Sequence, residues 1–144
     1  MKIAILGSGG REHAIAYAIS KSKKIEKIFC LPGNAGTDII AENIIIDINN
    51  FEQVYNFLKK EKINFVVVGP EQPLVDGIVD YLQKFNIKVF GPNKMSSQLE
   101  GSKIFTKNLC KKYNIPTADF GTFKTKEDTI KFLKKANHPI VIKA

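Results

Sequence analysis

Directly after the apolar run Ile3–Leu6, the segment Gly7-Ser8-Gly9-Gly10-Arg11-Glu12-His13 carries the chain's most specific chemistry. A strand that enters a glycine-rich turn and leaves it as a helix aims backbone N–H groups at one point. The positive end of the helix dipole points the same way, so the corner suits an anion such as phosphate. The backbone N–H groups of Gly9, Gly10 and Arg11 are the candidate donors. Arg11 is also the only arginine in a chain that otherwise uses lysine. Its planar guanidinium can grip an anion through two bonds, where lysine offers a point charge.

Further groups fall at strand ends. Asn34 lies in Pro32-Gly33-Asn34-Ala35-Gly36-Thr37, whose glycines and Asn provide exposed amides beside the first turn. Glu71 lies in Gly69-Pro70-Glu71-Gln72-Pro73-Leu74, where two prolines stiffen the backbone around the carboxylate. A carboxylate at the carboxyl end of a strand can accept from the vicinal hydroxyls of a sugar. His13, in the first helical turn, is either a packing residue or a hydrogen-bond partner of a ligand. Lys103 read alone is a surface lysine. Lys143, on the apolar run Ile140-Val141-Ile142, must reach solvent or an anion, because an unpaired buried charge is costly. No Ser/His/Asp grouping, metal-spaced histidine cluster or close carboxylate pair is visible, so no catalytic residue or metal ligand is assigned.

The glycine turn alone leaves three readings open. It is a tight turn of purely structural value, a phosphate or phosphosugar cradle, or a dinucleotide site. The dinucleotide fingerprint wants a third glycine where Glu12 stands, and an acid after the second strand where Leu31-Pro32-Gly33 stands. Both departures weaken that reading.

The elements that must hold these groups alternate as strand and helix. Strands are expected over residues 2–6, 27–31, 44–48, 65–68 and 88–90. Between them, a helix is expected over 11–22, apolar nearly all round and therefore largely buried. Another spans 51–61, capped by Asn49 or Asn50, and a third carries Val75, Ile78, Val79, Leu82 and Phe85. Repeated βα units imply an α/β fold, an open parallel sheet with helices on both faces. Beyond about residue 100, Ser102 can cap a helix ending before Pro116. A strand is expected over 118–123, a helix behind the capping-box residues Thr125 and Asp128, and a strand over 139–144. A domain seldom stops inside an apolar strand, so residues 102–144 are expected to be a linker helix and the truncated start of a second domain after a first domain of residues 1–101.

Composition narrows the classes. Hydrophobic content of 44% and charged content of 25% over 144 residues describe an ordinary globular chain. No run approaches the roughly 20 apolar residues of a membrane span. No secretory signal is read at the N-terminus, which makes the cytoplasm the expected compartment. Cys30 and Cys110 are too few and too far apart for a disulfide framework and read as reduced thiols. The net charge of +8 comes from lysines scattered through helices and turns, which argues for a solvated surface rather than nucleic acid.

Taken together, the motifs resemble the N-terminal part of the glycinamide ribonucleotide synthetase (phosphoribosylamine–glycine ligase) family of ATP-grasp enzymes. The resemblance rests on Gly7–Ala14, Pro32–Thr37, Gly69-Pro70-Glu71 with Pro73-Leu74, Phe90-Gly91-Pro92, Leu99–Lys103 with Phe105 and Lys107, and Ile140–Ala144, in the family's order along the whole chain. It implies a Rossmann-like pre-ATP-grasp domain followed by the truncated start of an ATP-grasp domain. It implies the ATP-dependent joining of 5-phosphoribosylamine and glycine in purine biosynthesis. Gly9, Gly10, Arg11, Asn34 and Glu71 would bind the phosphoribosylamine, while Lys103 and Lys143 would face the ATP phosphates. Mg2+ or Mn2+ ligands would lie beyond residue 144, so that this stretch alone is expected to be inactive. The partners implied are small molecules, with neither nucleic acid nor membrane, and the protein would be a monomer. A dinucleotide-binding domain of an oxidoreductase and a non-catalytic sugar-phosphate module are the alternatives.

Overall fold

The computed structural model describes residues 1–136 and 139–142, which fall into two compact units, Met1–Ser102 and Lys103–Ala144. In the first unit, β1 (Lys2–Gly7), β2 (Lys27–Pro32), β3 (Glu42–Asn43), β4 (Phe65–Val68) and β5 (Val89–Phe90) form one parallel sheet in the order β3-β2-β1-β4-β5. Ile3 pairs with Ile28 on one side and Phe65 on the other, and Leu6 with Leu31 and Val68. Because helices cover both faces of the central strands, those strands consist almost wholly of apolar residues.

Alternation along the strands feeds two cores. On one face, Ala4, Leu6, Phe29, Leu31, Val66 and Val68 pack with Val54 and Leu58 of α2 (Phe51–Lys60). Leu74 of α3 (Glu71–Asp76) and Ile78, Val79 and Leu82 of α4 (Ile78–Gln83) complete that layer. On the other face, Ile3, Ile5, Ile28, Cys30 and Val67 meet Ala16 of α1 (Gly10–Ser20), with Ile15 and Ile19 beside it. Asn50 caps α2, its Oδ1 accepting from the Gln53 N–H at 3.1 Å.

Several expectations are corrected. Helix α1 is not largely buried. Only Glu12 and Ala16 are, with Ile15 and Ile19 half-buried, whereas Ala14, Tyr17 and Ala18 are exposed. Those four inward positions follow the i, i+3, i+4, i+7 spacing, and one helix lying on a sheet buries a single stripe however apolar its other side is. The run 44–48 is not a strand. β3 stops at Asn43, one more bond joins the Ile44 N–H to the Cys30 carbonyl at 2.9 Å, and the chain then leaves the sheet edge. Its alternation survives without a ladder, since Ile44, Ile46 and Ile48 pack on the core while Ile45 is exposed. The helix expected around residues 75–85 is two, α3 and α4, separated at Gly77 with φ 101°. An unforeseen helix, α5 (Lys94–Gly101), starts at Asn93, whose Oδ1 accepts from the Ser96 N–H at 2.8 Å.

The second unit contains α6 (Lys103–Lys112) and α7 (Lys126–Leu133). After α6 the Ile115 N–H donates to the Cys110 carbonyl at 2.9 Å and Asn114 takes φ 53°, a left-handed helix end ahead of Pro116. Thr125 caps α7 by accepting from the Asp128 N–H at 3.2 Å. Residues 118–123 form no strand, and the described residues of the second unit contain no strand at all to pair with. Of the strand expected over 139–144, residues 139–142 are irregular, and Lys143 and Ala144 lie outside the described residues.

A candidate phosphate and sugar site at the carboxyl edge of the sheet

The order in which strands are added reverses between β1 and β4: β2 and β3 lie on one side of β1, and β4 and β5 on the other. In open α/β sheets that reversal opens a crevice beyond the carboxyl ends of the two strands. Here the crevice is bordered by the turn Ser8-Gly9 leading into α1, and by Gly69-Pro70 leading into α3. The two corners are tied by the Gly69 N–H, which donates to the Leu6 carbonyl at 3.1 Å.

Arg11 and Glu71 meet across it. Arg11 Nη2 donates to Glu71 Oε1 at 3.5 Å, and both side chains are about half exposed. Glu71 is the first residue of α3, with Pro70 at the cap position. Its carboxyl is held below the usual range, chiefly by its own backbone N–H at the helix start and next by the Arg11 charge. Arg11 in turn is pushed further toward its charged form, first by the bond to Glu12 and then by Glu71.

Glu12 is a functional candidate that the sequence reading passes over. It is 4% exposed, its Oε2 accepts from the Gly9 N–H at 2.6 Å, and its Oε1 accepts from Arg11 Nε at 3.3 Å. A side chain on Gly69 would collide with this carboxylate, and a Cβ on Gly7 would stand 2.7 Å from its Cδ. The signal was present: a Glu at the third helical position, reaching back to the cap amide, is half of a capping box.

This corrects the donor set. The Gly9 amide is already used, so Gly9 contributes by lacking a side chain, a Cβ there falling 2.8 Å from Glu12 Oε2. The N–H groups of Gly10 and Arg11, in the first turn of α1, have no carbonyl partner among the described residues. Asn34 joins the second loop to the first. Its Nδ2 donates to the Ser8 carbonyl at 2.8 Å and the Gly9 carbonyl at 3.3 Å, while its Oδ1 accepts from the N–H groups of Gly36 and Thr37. Buried Thr37 and half-buried Asn43 brace it from behind, Asn43 Nδ2 donating to the Asn34 carbonyl at 2.8 Å. His13 lies against Gly36, where an added Cβ would come 3.3 Å from its Nε2.

The structure therefore brings Gly9, Gly10, Arg11, Asn34 and Glu71 to one edge. Lys103 is exposed at the start of α6 in the second unit, and Lys143 is outside the described residues. Among the described residues no group of three His, Cys, Asp or Glu side chains could hold a metal ion, and no helix is long and apolar enough to cross a membrane. The arrangement can hold an anion on the α1 amides and Arg11, and a polyol on Glu71.

A parallel sheet in this strand order, with a glycine turn opening its first helix at the point of reversal, defines the Rossmann-like class of α/β domains. The family model described as phosphoribosylglycinamide synthetase, N domain, matches residues 1–100, and that of the ATP-grasp (A) domain of the same synthetase matches residues 101–144. The chain belongs to the phosphoribosylglycinamide synthetase family. It is 46% identical over 144 residues to the phosphoribosylamine–glycine ligase of Clostridium acetobutylicum, covering 100% of this chain and 35% of that protein. It is 49% identical to the enzyme of the same name from Mesorhizobium japonicum, again over the full chain and 34% of the relative. The crystal structure of the phosphoribosylamine–glycine ligase of Thermotoga maritima superposes with a TM-score of 0.70 at 33% identity, over 95% of this chain and 31% of that one. An N5-carboxyaminoimidazole ribonucleotide synthetase from Thermus thermophilus shares the fold at 20% identity and a TM-score of 0.67, over 95% of this chain and 37% of that one. The chain thus spans about a third of the length of the curated relatives it matches.

Proposed function

We propose that this chain supplies the phosphosugar-holding part of a phosphoribosylamine–glycine ligase, which joins the amino group of 5-phosphoribosylamine to glycine with ATP in purine biosynthesis. The observation that carries this reading is the pairing of Arg11 with Glu71 across the crevice, beside the open amides of Gly10 and Arg11. A phosphoribosyl compound has one anionic end and one polyol end, so it can engage both partners at once. The phosphate takes the amides and the guanidinium, and the ribose hydroxyls donate to the Glu71 carboxylate. Gly9 forms the bare wall of the turn. Asn34 keeps the second loop against the first, so that the phosphate meets a preformed rim.

Binding of this kind fixes the reacting amine in place, and positioning is itself a large contribution to joining two substrates. ATP, when bound, supplies the phosphoryl group that activates the carboxylate of glycine. Lys103 and Lys143 are proposed to face its phosphates. No cluster of three His, Cys, Asp or Glu side chains among the described residues could hold magnesium or manganese, and in this reading the ligands of such an ion lie beyond residue 144. In this reading residues 1–101 handle the sugar phosphate and 102–144 open the nucleotide-binding part, with the protein working as a cytoplasmic monomer on small molecules. Glu12 filling the place of the third glycine weighs against a dinucleotide.

Steady-state kinetics of the intact protein carrying Glu71→Ala test the reading. The KM for 5-phosphoribosylamine should rise about tenfold or more, the value of one lost charge-assisted bond, with the KM for ATP unchanged. Unchanged KM and kcat for both would remove Glu71 from the site.

A further inference from the structure

Glu12 is the one buried carboxylate among the described residues, and the function proposed above leaves it without a role. Its surroundings are specific. It lies between α1 and the ends of β1 and β4, in space that exists because residues 7, 9 and 69 are all glycine. Its two oxygens are used differently, Oε2 by the Gly9 N–H at 2.6 Å and Oε1 by Arg11 Nε at 3.3 Å. Each bond constrains something that a phosphate would meet.

We propose that Glu12 is the positioning residue of this site: it withdraws the Gly9 amide from the turn and anchors Arg11 by Nε, so that one phosphate is offered the Gly10 and Arg11 amides and the outer edge of the guanidinium. The inference rests on the phosphosugar reading. An arginine joined to its backbone by a flexible chain loses much rotamer freedom on binding, and a bond at Nε made in advance removes part of that cost. Nε is the inner nitrogen, so fixing it leaves the edge between the two terminal nitrogens clear of Glu12. Among the described residues only Nη2 of these has a partner, the half-exposed Glu71. A carboxylate so close to the turn would repel an anion if it were exposed. Buried and bonded to Arg11, it instead balances the guanidinium. Glu12 touches no ligand in this scheme and acts through Arg11 and Gly9.

The test uses the intact protein, Glu12→Gln, and ribose 5-phosphate as the probe. The single carbonyl oxygen of the variant side chain can still accept from the Gly9 N–H. Its NH2 group then faces Arg11 Nε, and a donor cannot accept from a donor. Affinity for ribose 5-phosphate should fall about tenfold while the thermal midpoint changes little. The Arg11 Nε–H resonance, shifted and protected from exchange in the parent protein, should move to the position of a solvated arginine in the variant. Equal affinity in parent and variant overturns the inference and leaves the phosphosugar reading standing. Failure of the parent to bind ribose 5-phosphate overturns that reading, and the resonance then still decides whether Glu12 anchors Arg11. If Glu12→Gln does not fold, the parent resonance decides alone: an unprotected Nε–H overturns the inference.

Discussion

At Arg11 three charges converge, with Glu12 behind the guanidinium and Glu71 across the crevice from it. The two contacts differ in burial, and so in consequence. Glu71 is half exposed, so its pair with Arg11 is weak and easily exchanged for a ligand. Because the folded carboxyl sits below its ordinary value, its contribution to stability is complete above about pH 4.3 and disappears as pH falls through the lower folded value. The thermal midpoint of the parent should exceed that of Glu71→Gln near neutrality, and the gap should close in acid. A gap that widens on acidification would contradict the assignment. Arg11→Lys keeps the charge but loses Nε and the planar fork, so affinity for ribose 5-phosphate should fall about tenfold in an isothermal titration. Cys30, fully buried beneath the site, has its thiol pushed up by desolvation and should resist alkylation under native conditions, while the partly exposed Cys110 reacts.

Among the elements, the sheet was readable because β1, β2 and β4 are short apolar runs rich in β-branched or aromatic residues and ended by Gly or Pro, and length and those flanking residues decide for strand where periodicity alone cannot. What could not be read was decided by neighbours. The inward stripe of α1 was hidden because its outward side is also apolar, and only the sheet selects between them. The run 44–48 has strand alternation but lies where the ladder ends. Most of the candidate site was legible, since Gly9, Gly10, Arg11, Asn34 and Glu71 follow strand ends directly. The capping-box spacing put Glu12 beside the turn, but its burial was not legible, because the space it fills is made by Gly7 and Gly69, which carry no side chain to suggest a contact. Where packing is dense, substitutions should be costly. Leu58, 1% exposed on α2 in the core with Phe29 and Val66, should lose about 2–5 kcal/mol on change to Ala, measured by urea unfolding.

Taken whole, the molecule divides its apolar burial unequally. Every buried residue described lies in the first unit, and none of the described residues from Lys103 onward is buried. The second unit holds its shape by local bonds, such as Lys107 Nζ donating to Thr117 Oγ1 at 2.7 Å and the Ala118 carbonyl at 2.8 Å, and by the tilted pair Phe123 and Phe132 with ring centres 4.9 Å apart. Local contacts of this sort open readily. Amide exchange in this chain should therefore be orders of magnitude faster in α6 and α7 than in β1 and β4. Uniform protection across both units would be the contrary result.

The niche around Glu12 also makes residues 12 and 69 mutationally interdependent. Gly69→Ala alone forces a methyl into the carboxylate, whereas the same change after Glu12→Gly meets vacated space. In the opposite order, Glu12→Gly alone leaves a hollow between helix and sheet. A double-mutant cycle should show coupling of about 1 kcal/mol or more. Passage from this corner to one with Gly at 12 and Ala at 69 would thus cross a less stable intermediate whichever substitution came first, so the two positions are expected to change together or not at all.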